Sequence, residues 1–133
     1  MPSYGLGIDR VLIDRIAVAF ERWGQRFVRL VLGPGELEVF HQRLQQHQRQ
    51  GIHYLAKRFA AKEAFGKAMG CGLRSPMLMP CLDILNDASG KPVAHAHGAL
   101  WQWLVERSIT AHVSITDEQD AAIAIVLLET RPG

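Results

Sequence analysis

Three residues stand out for what their types and spacing permit. Glu63 and Lys67 lie four apart in the run Arg58-Phe59-Ala60-Ala61-Lys62-Glu63-Ala64-Phe65-Gly66-Lys67, so on a helix they share one face. With Ala56 and Ala60 expected on that face, the carboxylate and ammonium would stand on the floor of an open cleft. Taken alone, such a pair is an ordinary surface ion pair, which is common and weak. Asp9 changes that assessment, because it ends a short run of glycine and apolar residues and is therefore held at an element boundary. Two carboxylates and an ammonium suffice for a Mg2+ ion that keeps waters and binds phosphate oxygens. Other routes to phosphate are missing: there is no GxxxxGK loop, and Gly5-Leu6-Gly7 lacks the third glycine and the βαβ context of a dinucleotide fingerprint.

The elements that must position these residues follow from periodicity. Tyr4 to Asp9 reads as a strand, its glycines at 5 and 7 allowing close backbone approach. Ile16, Phe20, Phe27 and Val31 keep a helical stripe, with Gly24 as an interruption and Gly33-Pro34-Gly35 as the stop. Leu37, Phe40 and Leu44 mark a second helix, and Gln45 to Gln50 reads as a solvated loop or helix tail. A third helix is expected from about Ile52 to Met69, made slim by its alanines and stopped by Gly70 and Gly72. Strands Leu82 to Leu85 and Val93 to Ala96 flank the turn-rich Asn86 to Pro92. A helix over Gly98 to Arg107 and strands Ala111 to Thr116 and Ala121 to Leu128 complete the chain. The order β-α-α-α-β-β-α-β-β predicts a single α+β domain over residues 1–133, an antiparallel-rich sheet packed against helices.

Composition bounds the function. The 133 residues suit one compact domain with its own core. Fifteen Lys and Arg against 13 Asp and Glu leave a formal charge of +2, too little to mark a nucleic-acid binder. No apolar run approaches a membrane span, and Asp9 and Arg10 interrupt any signal peptide, so a cytoplasmic protein is expected. Cys71 and Cys81 have no zinc-ligand spacing and read as reduced core thiols. His95 and His97 would share a strand face, but no third metal ligand accompanies them.

Gly7-Ile8-Asp9 with Ile13-Asp14-Arg15-Ile16, and Lys57 to Ala68, resemble the two signature motifs of the 4′-phosphopantetheinyl transferases, closest to the short holo-[acyl-carrier-protein] synthase branch. The likeness extends to the element order, to Gly90-Lys91-Pro92, and to His112-Val113-Ser114-Ile115-Thr116. Cys71 and Leu73 depart from the threonine and isoleucine usual after the second motif. The resemblance implies transfer of the phosphopantetheine arm of coenzyme A to a serine of an apo acyl carrier protein, releasing adenosine 3′,5′-bisphosphate. It implies that Asp9 and Glu63 hold Mg2+ against the diphosphate, that Glu63 helps deprotonate the serine, and that Lys67 sits over phosphate oxygens. By the same resemblance Arg58, Gly90, Lys91, Pro92 and His112 border the adenosine end, and the enzyme is a homotrimer with interfacial active sites.

Two features bear on partners. His112, Ser114 and Thr116 share one strand face by the period of two. Arg15, Arg22, Arg26 and Arg29 form one basic stripe if the first helix continues through Gly24. In the resembling family the first helix docks the acidic recognition helix of the carrier; a solvated helix face is the plainer reading. The residues by themselves leave two alternatives open. One is a carboxylate-metal phosphohydrolase of a nucleotide diphosphate, and the other is a non-catalytic binding module that uses only the arginines.

Overall fold

In the computed structural model, which describes residues 2–131, one helix organises everything else. This helix, α4 (Gln48–Met69), has 14 of its 22 residues buried, so it is walled in on nearly all sides. On one side lies a three-stranded antiparallel sheet of β1 (Ser3–Leu12), β5 (Ala121–Thr130) and β4 (Ile109–Asp117), in the order β1-β5-β4. On the other lie α3 (Pro34–Gln46) and a hairpin of β2 (Leu82–Asn86) and β3 (Pro92–Ala96). The remaining elements are α1 (Ile13–Trp23), α2 (Gln25–Val31) and α5 (Gly98–Glu106), with a 3-10 turn at Met79–Cys81. The α+β class and the antiparallel sheet against helices are as the sequence predicts.

The alanines and glycines set how closely β1 meets α4. A Cβ added at Gly5 would lie 1.8 Å from the Ala68 carbonyl oxygen, and one at Gly7 would lie 1.9 Å from that of Ala64. Only glycine permits such an approach. Across the sheet, Asp9 pairs with Ala124 and Val11 with Ala122, so small residues continue the same packed face. The opposite face of the sheet is open and apolar: Leu6 is 61%, Ile8 54% and Ile125 43% exposed.

The structure corrects four expectations. The first helical run is two helices, because Gly24 adopts φ +56°, outside the helical region, and the chain turns there. There are therefore four helices before the hairpin. Helix α4 begins at Gln48 rather than near Ile52, its first turn capped by the His47 ring, whose Nδ1 accepts from the Arg49 amide at 3.2 Å. Ala56 and Ala60 lie fully buried in the core. His97 lies past the end of β3, at the N-cap of α5, where its Nε2 meets Asp83 Oδ2 at 2.6 Å, so it shares no strand face with His95. Among the described residues, no helix is long and apolar enough to cross a membrane.

Candidate active site

Asp9, Glu63 and Lys67 come together where the glycine-rich strand crosses α4. Period-two alternation puts Asp9 on the same face of β1 as Gly5 and Gly7, pointing to the helix. The glycines bring the strand close enough for Lys67 to reach it. Lys67 Nζ donates to Asp9 Oδ1 at 2.9 Å and to the Ile8 carbonyl at 3.0 Å. An ammonium has three N–H bonds, so one is left for a ligand. Glu63, one turn before Lys67, is half-buried. Burial and then the neighbouring Asp9 carboxylate hold its pKa above the ordinary carboxylate value, and Lys67 partly offsets them.

These side chains line a cavity of about 500 Å3 together with Arg10, Arg15, Ile16, Ala19, Phe27 and Phe59. The apolar wall is Phe59, one turn before Glu63, facing Phe27 of α2 with ring centroids 6.2 Å apart. This pair takes the place that Ala56 and Ala60 were expected to fill, since residues 59, 63 and 67 follow one another along the helix face. The donor set suits a hard divalent cation: two carboxylates whose mutual repulsion a cation would relieve, with an ammonium beside them. Among the described residues, no group of three or more His, Cys, Asp or Glu side chains forms a fuller cage. Any such cation would keep positions for water and for a ligand's oxygens.

The other sequence candidates are dispersed. Arg58 is buried away from this cavity: its Nε and Nη2 donate to the Ile84 carbonyl at 3.1 and 2.9 Å, and its guanidinium stacks 4.4 Å from the Tyr54 ring centroid. Nη2 also reaches Asn86 Oδ1 at 3.3 Å, which brings Arg58 to the base of the hairpin carrying Gly90, Lys91 and Pro92. That turn is braced by Asp87 Oδ1, which accepts from the Ser89 and Lys91 amides. His112 is exposed on the open face of the sheet, with Nε2 2.5 Å from Glu129 Oε1. Val113 beneath it is buried, as the alternation requires. The four arginines are all exposed but do not form one stripe. Arg15 borders the active-site cavity, Arg22 lies over Trp23, and Arg26 and Arg29 belong to the separate α2.

Two features escaped the sequence reading. A basic cavity of about 600 Å3 lies between the end of α3 and the start of α4, lined by Arg43, Arg49, Lys57, His47, His53 and Asp117. Its signal was the recurrence of cationic residues on either side of His47, hidden by the apparent loop. The second is the buried pair Glu36 and Lys62, both 0% exposed and 2.5 Å apart.

The comparisons with known proteins bear on this geometry. Residues 5–126 match the family model described as the 4′-phosphopantetheinyl transferase superfamily. The chain belongs to that superfamily. Among its relatives, the holo-[acyl-carrier-protein] synthase of Leptothrix cholodnii is 50% identical over 96% of this chain and 97% of its own length. Among solved structures, the holo-[acyl-carrier-protein] synthase of Neisseria meningitidis superposes with a TM-score of 0.88 at 40% identity, covering 97% of this chain and all of that one. A Bacillus anthracis holo-(acyl-carrier-protein) synthase in complex with coenzyme A (3′,5′-ADP) has a TM-score of 0.79 at 28% identity, covering 97% and 98%. Both motifs quoted above as resembling the transferases fall within the matched residues, so this superfamily member carries Asp9, Glu63 and Lys67 inside its family region.

Proposed function

We propose that this superfamily member is a holo-[acyl-carrier-protein] synthase: it moves the 4′-phosphopantetheine group of coenzyme A to a serine hydroxyl of an apo acyl carrier protein in the cytoplasm. The observation that carries the reading is the convergence of Asp9, Glu63 and Lys67 on one cavity whose rim bears Arg10 and Arg15. The names of the relatives support the same substrates. In this reading Asp9 and Glu63 hold a Mg2+ ion, which when bound neutralises the diphosphate and polarises the phosphorus under attack. Lys67 lies along the diphosphate and balances the charge that develops as the leaving phosphate departs. Glu63, directly or through a water on the ion, accepts the serine proton.

The rest of the coenzyme and the partner are assigned from charge. Arg58, Gly90, Lys91, Pro92 and His112 border the adenosine end, and the basic cavity of Arg43, Arg49 and Lys57 supplies further cationic surface. Arg15, Arg22, Arg26 and Arg29 steer an acidic carrier to the cavity mouth. The assembly in this reading is a homotrimer with interfacial sites. Its support is the open apolar face of β1 and β5, which lies directly behind Asp9 and carries His112 along its β4 edge. A contiguous exposed apolar face of this kind marks an interaction surface.

Incubation with apo carrier protein, coenzyme A and Mg2+ tests the proposal: the carrier gains the mass of phosphopantetheine. Absence of that gain with several carriers refutes it. Consumption of coenzyme A without carrier points instead to a phosphohydrolase. Glu63→Gln loses about 100-fold or more in rate if Glu63 is the base; an unchanged function would reduce the protein to a binding module.

A further inference from the structure

The second motif contains two lysines, and the fold treats them differently. Lys67 faces the cavity, whereas Lys62 is 0% exposed. Its Nζ donates to the Val31 carbonyl at 2.6 Å, to Glu36 Oε1 at 2.5 Å and to the Met79 carbonyl at 3.0 Å. These acceptors match the three N–H bonds of an ammonium, so none remains for a substrate phosphate. Each acceptor belongs to a different element: Val31 ends α2, Glu36 lies in the first turn of α3, and Met79 opens the 3-10 turn. Glu36 is anchored in turn, Oε1 accepting from the Gly33 amide at 2.9 Å and Oε2 from the Ile84 amide at 2.8 Å. Asp83 completes the junction, its Oδ1 accepting from the Gly35 and Glu36 amides at the start of α3.

The elements joined here are those that shape the active site. Lys62 precedes Glu63, and adjacent helical residues differ by a fixed rotation about the axis, so anchoring one sets the direction of the other. Val31 closes the short helix that carries Phe27, whose ring faces Phe59 across the cavity. A buried ion pair is a poor device for stability, since well-packed apolar side chains often do as well or better.

We propose that Lys62 is a positioning residue: resting on the transferase reading above, it fixes the rotation of α4 and the end of α2 so that Glu63 and the Phe27–Phe59 wall stay in register, and it touches no substrate. Misplacement of reacting groups by about 1 Å costs up to about 100-fold in rate. Lys62→Met alone leaves a buried carboxylate without its ammonium and is expected to destabilise the fold. The informative variant is Lys62→Met/Glu36→Gln, which removes both charges and keeps one acceptor oxygen at position 36, enough for the Gly33 or the Ile84 amide but not for both.

The measurements are the melting temperature, kcat, and KM for coenzyme A. The expected result for the double variant is a cooperative melting transition above that of Lys62→Met alone, kcat lower by about 10- to 100-fold, and KM for coenzyme A within about twofold. Recovery of wild-type kcat along with the melting temperature overturns the proposal, because the pair then only holds the fold. A large rise in KM with kcat intact also overturns it, because Lys62 is then a phosphate ligand. Loss of cooperative melting in the double variant does so as well. If the wild type itself transfers nothing, the transferase reading fails on its own. The positioning role is then read from the amide resonances of Glu63 and Lys67, which move in the double variant if Lys62 sets their direction and stay in place if it does not.

Discussion

Gly7→Ala perturbs the strand–helix contact on which the site depends. The new Cβ would stand 1.9 Å from the Ala64 carbonyl oxygen and 2.9 Å from the Ala68 nitrogen, both backbone atoms that no rotamer change can move. Ordinary contact begins at 3.4 Å, so β1 must lift from α4 by about 1.5 Å. Lys67 holds Asp9 and the Ile8 carbonyl at 2.9 and 3.0 Å, and a displacement of that size breaks both bonds. Overpacking of this kind costs about 2–3 kcal/mol. With a urea slope of about 2 kcal/mol per M, the unfolding midpoint should fall by about 1 M. Transfer to a carrier should fall by about 100-fold, since Asp9 moves relative to Glu63. Gly24→Ala is the control: its φ of +56° with ψ −133° disfavours a side chain but no atom lies within 4 Å, so it bears backbone strain alone, about 1–3 kcal/mol, and leaves the β1–α4 contact untouched. Urea unfolding and the mass-gain assay on both variants decide the matter. A Gly7→Ala protein with the midpoint of the control and undiminished transfer would refute the account of why β1 carries glycine.

Three further outcomes are expected. In the metal-free protein, carbon-detected titration of the Glu63 carboxyl should give a midpoint above 4.5, because burial and Asp9 both disfavour its charge. Lys67→Met removes the opposing influence and should raise that midpoint further; a fall would contradict the assignment. Added Mg2+ should pull the same midpoint down, because a cation held between Asp9 and Glu63 favours both charged carboxylates. Tyr54 is buried with its pKa pushed up to about 12, and its hydroxyl is the one buried side-chain polar atom among the described residues without a hydrogen-bond partner. Tyr54→Phe should therefore raise the urea-unfolding stability by about 1 kcal/mol, and a loss of that size would mean the hydroxyl is satisfied. Ile8→Glu places a charge on the open sheet face without touching the α4 side. Light scattering should show the proposed homotrimer reduced to single chains with the helical circular dichroism intact, and an unchanged mass would remove that face from the proposed interface.

How far the sequence foretold this molecule depends on the range of the physics involved. Glu63 and Lys67 were legible because helix spacing is local. Asp9 was singled out as the end of a strand, yet β1 runs on to Leu12, and it is the alternation along β1 that aims Asp9 at α4. The glycines of β1 announced a close approach without saying to what. The alanines of α4 supplied the other half of that contact. Gly24 was a visible interruption, but whether it turned the arginine stripe depended on a φ of +56° that the sequence leaves open. The start of α4 was missed because its first residues are polar: they contribute helix but no apolar period. Ala56 and Ala60 were misplaced because they stand seven and three residues before Glu63, on the side of the helix turned to the core, whereas steps of four back from Lys67 lead through Glu63 to Phe59. Lys62 and Glu36 were invisible for a further reason. A buried ion pair joins residues 26 apart, and each member reads locally as an ordinary surface charge.

The register of β1 ties these observations together. On one face of the strand stand Gly5, Gly7, Asp9 and Val11; on the other stand Leu6, Ile8, Arg10 and Leu12. A slip of one residue against β5 exchanges the two sets. Leu6 and Ile8 would then face the Ala64 and Ala68 carbonyls, where not even a Cβ fits, and Asp9 would turn away from Lys67. The glycines therefore do more than permit close packing. They make one register the only one that packs, and that register both delivers Asp9 to Glu63 and leaves an apolar face outward. A slip that turned the apolar face inward would also turn Asp9 outward, so the proposed interface and the proposed active site depend on one register of β1.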